Sequence, residues 1–373
     1  MLSLLSPDAI ARDLAVRDLT DPTKGPHAIQ LIVDDIVGAL GERWPETDVR
    51  IVRGSPIVSL DDNYDRLGFS PDAVTRDVRY TRYVSETCVL RTHTSAMIPA
   101  ALRQRPLPDD VLLACPGIVY RRDAIDRLHA GTPHQLDVWR VRAQPTSEDD
   151  LVEMIDAVVS AALPGAVWRT IAVDHPYTSH GRQIDARSDA TADEWVEIAE
   201  CGLAGRRVLH GAGLPDREGL AMGLGLDRLV MLRKGINDIR LLRSDDRRIA
   251  SQLLDLDRYE PVSNHPPVQR DLSIAVADDE DLETLGDAVR DALGGHSAYV
   301  EDLIVLSETP AAELPPAAVE RIGLRAGQKN VLLRVVLRHV DHTMTNAEAN
   351  VLRDRIYAAL HQGDAHQWAA SRA

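Results

Sequence analysis

Hydrophobic positions recur along the chain in two rhythms. Ile29, Ile32, Val33, Ile36 and Leu40 stand three or four apart, which puts them on one face of a helix. Ser6-Pro7 reads as a helix cap followed by proline at the first helical position, and Asp149–Leu163 and Arg228–Lys234 also read as helical. Between them short β-type runs dominate, at Val49–Val52, Ile57–Leu60, Val111–Ala114 and Val138–Val141, separated by turns that carry proline or glycine. This order predicts an α+β architecture, an antiparallel sheet with helices on one side.

Near Tyr259–Pro267 the pattern changes to Tyr-Glu-Pro-Val-Ser-Asn-His-Pro-Pro, an extended linker. Beyond it Asp271–Val276 reads as a strand, and Leu282, Leu285, Val289 and Leu293 mark an amphipathic helix. Strands follow at Val300–Leu306 and Val331–His339, and Thr345-Asn-Ala-Glu348 forms a capping box that opens a helix to about Leu360. The succession β-α-β-β-α suits a ferredoxin-like domain. Two domains are therefore expected, residues 1–258 and 268–373, joined by a linker at 259–267. No internal repeat or low-complexity tract interrupts them.

With 44% hydrophobic and 27% charged residues the composition is globular, and Phe69 is the only phenylalanine. The formal net charge of −16 repels polyanions, so RNA binding needs local positive potential. From Pro261 onward 17 Asp/Glu stand against 10 Lys/Arg, a net −7, including the run Asp278-Asp-Glu-Asp281. Cys88, Cys115 and Cys201 are too scattered for a zinc site or a disulfide scaffold, which points to a reducing compartment. No apolar run approaches the ~18 residues of a membrane span, and the N-terminus lacks the features of a signal or transit peptide. A soluble cytoplasmic protein with no membrane partner is the expectation.

Four segments carry candidate chemistry. Leu90-Arg-Thr-His-Thr-Ser95 sets an imidazole and hydroxyls after an apolar stretch, though turn residues satisfying backbone groups would look the same. In Val119-Tyr-Arg-Arg-Asp123, a strand would turn Arg121 and Asp123 to one face, and in His134-Gln-Leu-Asp137 it would do the same for Gln135 and Asp137. Such neighbouring strands offer a cation beside carboxylates, suited to a phosphate and an ammonium group, or merely a salt-bridged hairpin. Trp195-Val-Glu-Ile198 alternates so that Glu197 opposes Val196 and Ile198, either in a site or in solvent. In Gly223-Leu-Gly-Leu-Asp-Arg228, Gly223 and Gly225 permit close backbone approach, and Arg228 enters a helix where it can pair with phosphate. This is no dinucleotide fingerprint, for no third glycine or βαβ setting accompanies it.

Taken in order, these segments resemble the class II aminoacyl-tRNA synthetases, and the local strings are those of the phenylalanyl-tRNA synthetase α-type core. They are Asn63-Tyr-Asp-Arg-Leu67, Arg91-Thr-His-Thr-Ser95, Val119-Tyr-Arg-Arg-Asp-Ala-Ile-Asp126, His134-Gln-Leu-Asp137, Trp195-Val-Glu197 with Cys201-Gly202, and Gly223-Leu-Gly-Leu-Asp-Arg-Leu229, continued by Gly235-Ile-Asn-Asp-Ile-Arg-Leu241. Pro56 stands where the first motif of that family carries its proline. Pro266-Pro-Val-Gln-Arg-Asp-Leu-Ser273 and Arg338-His-Val-Asp-His-Thr-Met-Thr345 resemble its ferredoxin-fold anticodon-binding domain, in the single-chain, organellar arrangement. The likeness runs from roughly Gly25 to Gly363.

The resemblance implies ATP-dependent formation of an aminoacyl-adenylate, with Mg²⁺, and transfer to tRNA. Arg121 would meet the α-phosphate, Arg228 the γ-phosphate and Glu197 the Mg²⁺. Asp123, His129, Gly223 and Gly225 would complete the nucleotide site. His93, Ser95, Gln135 and Asp137 would surround the α-amino and carboxylate groups, and His175, Tyr177, Glu200 and Ala221 would line the side-chain pocket. The family holds a phenyl ring with two phenylalanines where this chain has His175-Pro-Tyr-Thr178. An apolar ring covering unsatisfied polar groups there would cost about 1–3 kcal/mol for each, so the expected substrate is a polar or heteroaromatic relative of phenylalanine. Glu200 replaces a glycine, Asp137 a glutamate and His342 an arginine. Partners are then an amino acid and tRNA, with no DNA. The alternatives are a paralogue that passes the activated amino acid to a non-RNA acceptor, and a non-catalytic regulatory relative.

Overall fold

The computed structural model describes residues 4–122, 124, 126–187, 195–262, 265–339 and 341–366. They form two compact units. The first takes in the chain up to Arg121 and Thr132–Tyr259; the second is built from Glu260 onward and also includes Arg122–Gly131. That segment was expected with the first domain. Tyr259 was expected in the linker but is buried in the first unit, its backbone N–H bonded to the Lys234 carbonyl at 2.7 Å.

The strands of the first unit are β1 Asp48–Ile51, β2 Ile57–Ser59, β3 Cys88–Leu90, β4 Asp110–Ile118, β5 His134–Arg142, β6 Val167–Ala172, β7 Thr178–Arg187, β8 Val196–Ala204 and β9 Glu218–Gly225. Seven of them make one sheet in the order β1-β4-β5-β9-β8-β7-β6, antiparallel except for the β1–β4 pair, while β2 and β3 form a separate ladder. Residues directly opposite on neighbouring strands share a face. One row thus runs Cys115, Asp137, Gly223, Glu200, Gln183 across five strands, and the next runs Trp139, Ala221, Gly202.

Part of this face is sealed by an apolar cluster. Met97, Ile98 and Leu102 lie over Val111, Leu113, Trp139, Val141 and Ala221, with Val208 and Leu209 completing it. The rest of the row is left for chemistry. Alternate residues such as Leu136, Val138, Met222 and Leu224 are buried on the opposite side. There helices Ala28–Arg43, Glu148–Ala162 and Leu226–Lys234 pack, the first burying Ile29, Ile32, Val33, Ile36 and Leu40. The helical rhythm in the sequence reads out this burial directly.

Gly117 on β4 shows why one position on the site face tolerates no side chain. A Cβ there would lie 2.2 Å from a terminal nitrogen of Arg91 and 2.8 Å from its guanidinium carbon. Arg91 is itself buried and donates through Nε to the Ile118 carbonyl at 2.7 Å, so it has little freedom to withdraw. Gly117→Ala is expected to lower stability by about 1–3 kcal/mol, as overpacking does, read as an earlier urea midpoint with an unchanged slope.

The second unit has β10 Val268–Ala277, β11 Val300–Pro310 and β12 Gln328–Leu337 in an antiparallel sheet of order β10-β12-β11. Helices Leu282–Leu293 and Asn346–Leu360 contribute Leu285, Val289, Leu352 and Ile356 to its core. Thr345 and Glu348 form the expected capping box, and Asp281 with Thr284 forms another. A further helix, Pro316–Ile322, was not anticipated. Arg334 is paired across strands with Asp271 at 2.8 Å, Arg338 with Glu301 at 2.6 Å, and Arg355 donates to the Ala292 carbonyl at 2.6 Å.

Candidate active site

Arg121 does not lie in a strand, because β4 ends at Ile118. The chain continues extended, with Val119 N–H bonded to the Pro133 carbonyl and Tyr120 N–H to the Arg91 carbonyl, each at 2.9 Å. Arg121 Nε then donates to the Thr92 carbonyl at 2.8 Å, fixing the stem of the guanidinium. Asp123 lies outside the described residues. His129 belongs to the second unit, where its Nδ1 is 2.6 Å from the Asp126 carboxylate.

Glu197 reaches the site through an irregularity. Glu197 and Glu200 are three apart, so a regular strand would turn them to opposite faces. Between β7 and β8 the register shifts: Ile184 pairs with Ala199, but Asp185 pairs with Glu197, leaving Ile198 as an extra residue. This bulge turns Glu197 to the same face as Glu200. Arg228, in the first turn of helix Leu226–Lys234, meets it there. Its Nη1 donates to the Glu197 carbonyl at 3.1 Å and lies 3.8 Å from the carboxylate.

Glu200 ties the parts together. Its carboxylate lies 2.9 Å from His175 Nε2. Burial pushes Glu200 upward, but the hydrogen bond and charge of His175, with the fields of Arg121 and Arg228, outweigh it and hold the group below the usual glutamate range. The bond to Glu200 in turn raises His175 against the effect of its own burial. His175 and Tyr177 therefore do not satisfy each other; their ring centroids are 5.9 Å apart. Tyr177 lies between Phe69 and Trp139, each 6.1 Å away, and burial raises its phenol well above the ordinary value.

Asp137 is more enclosed than the sequence suggests, at 2% exposure. Thr94 Oγ1 and Ser95 Oγ donate to its two oxygens at 2.8 Å, and Trp139 Nε1 approaches at 3.4 Å. Burial raises it to about 6 despite these neutral donors. Gln135 Oε1 accepts from Thr94 N–H at 3.2 Å. A Cβ at Gly223 would lie 3.6 Å from the Asp137 carboxylate, and Gly225 opposes Gln135. Ala221, opposite Trp139 on the neighbouring strand, is buried in the apolar cluster rather than open.

His93 is held at Nδ1 by Thr92 Oγ1 at 2.9 Å and stacks on Phe69 at 5.5 Å. Its Nε2 is buried without a protein partner, and burial together with the nearby Arg121 charge lowers it to about 3. A buried, unsatisfied imidazole nitrogen is costly to maintain and marks a position that a ligand would complete. The roles of Thr94 and Trp139 were not assigned from sequence, although both lie within or beside the strings that carry the resemblance.

The chain belongs to the class II tRNA synthetases: the family described as tRNA synthetases class II core domain (F) matches residues 20–253. It is 26% identical to the chloroplastic/mitochondrial phenylalanine–tRNA ligase of Arabidopsis thaliana, over 93% of this chain and 83% of that protein. It is 28% identical to the mitochondrial phenylalanine–tRNA ligase of Saccharomyces cerevisiae, over 82% of this chain and 80% of the relative. Against the phenylalanine–tRNA ligase alpha subunit of Prochlorococcus marinus the identity is 33%, over 63% and 69%. Among the described residues no helix is long and apolar enough to cross a membrane.

Proposed function

We propose that the chain activates an amino acid with ATP and transfers it to tRNA, in the manner of a phenylalanine–tRNA ligase with an altered side-chain pocket. The carrying observation is that Arg228 lies beside Glu197 on the sheet face that also bears Glu200, while Arg121, anchored on the Thr92 carbonyl, adds its positive field to that of Arg228 at Glu200. Two guanidinium groups converging on one face suit a triphosphate. Arg121 would neutralise the charge that grows on the α-phosphate as the amino acid's carboxylate attacks it and the bond to pyrophosphate breaks. Arg228 would hold the departing end. Among the described residues no group of three or more His, Cys, Asp or Glu is arranged to hold a metal. Mg²⁺ at Glu197 would therefore take most of its oxygens from phosphates and water, as this ion usually does.

His93 and Gln135 are proposed to contact the amino acid's α-groups, and Gly223 and Gly225 to let the nucleotide lie close to the backbone. The His175–Glu200 ion pair puts a fixed polar wall where the relatives carry an apolar one, which supports a polar or heteroaromatic substrate. For the second unit we propose a ferredoxin-like, anticodon-binding role, supported by its antiparallel sheet of order β10-β12-β11 and by the helices Leu282–Leu293 and Asn346–Leu360 that share its core. With Arg334 and Arg338 already ion-paired, its contribution to tRNA affinity should be small and weakly salt-dependent. Three free cysteines fit a reducing compartment, of which we propose the cytoplasm.

ATP–pyrophosphate exchange across a panel of amino acids, followed by charging of total tRNA, tests this reading. Exchange selective for a polar or heteroaromatic side chain, with charged tRNA, is expected. Selective exchange with phenylalanine overturns the side-chain reading but leaves the ligase reading standing. Exchange without charged tRNA overturns the tRNA acceptor, and the absence of exchange with any amino acid overturns the function.

A further inference from the structure

Two carboxylates stand in one row of the site face, Asp137 on β5 and Glu200 on β8, with only Gly223 of β9 between them. Their environments differ. Both oxygens of Asp137 are occupied by neutral donors of the protein, namely Thr94, Ser95 and Trp139, and the residue is almost fully enclosed. Any ligand cation would have to displace or share those bonds. The Glu200 side chain is 40% exposed, and one of its oxygens is engaged by His175. A carboxylate offers about four acceptor positions; protein donors take three of those of Asp137, whereas His175 takes one of those of Glu200, so Glu200 retains more capacity. Gly223 contributes no side chain to separate Glu200 from the space above Asp137, where even a Cβ would stand 3.6 Å from the Asp137 carboxylate.

We propose that Glu200, rather than Asp137, binds the α-ammonium group of the amino-acid substrate. Asp137 is then a positioning residue, whose bonds to Thr94 and Ser95 hold the turn that presents His93. The proposal rests on the ligase reading above. Within it, Glu200 takes over a duty from a neighbouring strand. His175 orients its carboxylate and, with the weaker fields of Arg121 and Arg228, favours its ionised form. Asp137 supports the proposal from the other side: with its raised value it is partly protonated in mildly acidic solution and is then a poorer partner for a cation.

The test uses the full chain and three matched pairs of probes, phenylalanine with phenylpropionate, tyrosine with hydroxyphenylpropionate, and histidine with imidazolepropionate. Each pair differs by the ammonium group alone, and affinity is read by calorimetric titration or by competition in the exchange assay. For the pair that binds the wild-type chain most tightly, Glu200→Gln is expected to weaken the amino acid by about 10- to 100-fold, the range for a lost charge-assisted hydrogen bond. The des-amino acid should change by less than about threefold. In Asp137→Asn the preference for the ammonium-bearing partner should persist. Retention of that preference in Glu200→Gln overturns the proposal, whether or not Asp137→Asn folds. Its loss in Asp137→Asn alone overturns it as well and returns the role to Asp137. A wild-type chain that exchanges with no amino acid overturns the ligase reading and this proposal together, a result distinct from either variant outcome.

Discussion

Arg121→Ala is expected to slow ATP–pyrophosphate exchange by about 10²- to 10³-fold in kcat, the usual loss when one preorganised donor to developing charge is removed. The geometry gives the reason. Nε is committed to the Thr92 carbonyl, which fixes the plane of the guanidinium. Charge at this point is useful only if it is already aimed before the α-phosphate reacts, because reorganisation during the step would consume the gain. Arg121→Lys restores a positive charge without the fork or the anchoring bond, so it should recover only part of the rate. The thermal midpoint of both variants should stay close to wild type, since a single backbone-directed bond is lost. Exchange within about threefold of wild type in Arg121→Ala would remove this residue from the chemistry. A midpoint drop as large as the rate loss would instead mark it as structural.

The elements legible in the sequence are those whose signal is local. The amphipathic helix Ala28–Arg43 repeats every three or four residues, and the Thr345/Glu348 cap spans four residues, so both are written within about one turn. The glycines and arginine of Gly223–Arg228 are legible for the same reason, as a strand that runs straight into a helix. Features that depend on distant partners were not. Glu197 faces the site only because β8 carries one residue more than β7 between two pairings, and alternation along β8 alone gives the wrong face. The His175–Glu200 pair joins a loop to a strand in a register that neither segment announces. Strands β6 and β7 escaped notice because neither shows a long alternation of apolar and polar positions: Val167–Ala172 mixes the two and is mostly exposed, and Thr178–Arg187 is polar apart from a glycine, Ile184 and Ala186. Asp137 was legible as a candidate but not in its depth, since burial is decided by what Thr94, Ser95 and Trp139 place over it. Chemistry-bearing residue types were thus found more readily than their orientation.

The residue next to Arg228 should matter most for stability. Asp227 is buried and accepts from the His134 backbone N–H at 2.5 Å and from His134 Nδ1 at 3.0 Å. His134 Nε2 accepts from Leu19 N–H at 3.1 Å and faces Arg243 Nη2 at 3.0 Å, so the ring proton belongs on Nδ1, toward Asp227. Burial raises the Asp227 carboxyl, but the ring and backbone hydrogen bonds from His134 and the charge of Arg243 outweigh it and hold it below the usual aspartate range. Asp227→Ala leaves the two buried N–H donors of His134 without their acceptor and removes the negative charge near Arg243, and a loss of about 3–5 kcal/mol is expected, as when one partner of a buried pair is removed. The same folded-state depression fixes the sign of the pH dependence. The stabilisation from Asp227 is fully present above the unfolded carboxyl value of about 4 and is lost as pH falls through the lower folded value. Urea unfolding of wild type and Asp227→Ala at neutral pH and at successively lower pH should show two midpoints that converge as the solution becomes acid. Because Asp227 anchors the start of β5 to the first turn of the helix bearing Arg228, the variant should also lose exchange activity while it is still folded. A midpoint within about 1 kcal/mol of wild type at neutral pH, or a gap between the two that widens in acid, would mean that this buried network does not carry the junction.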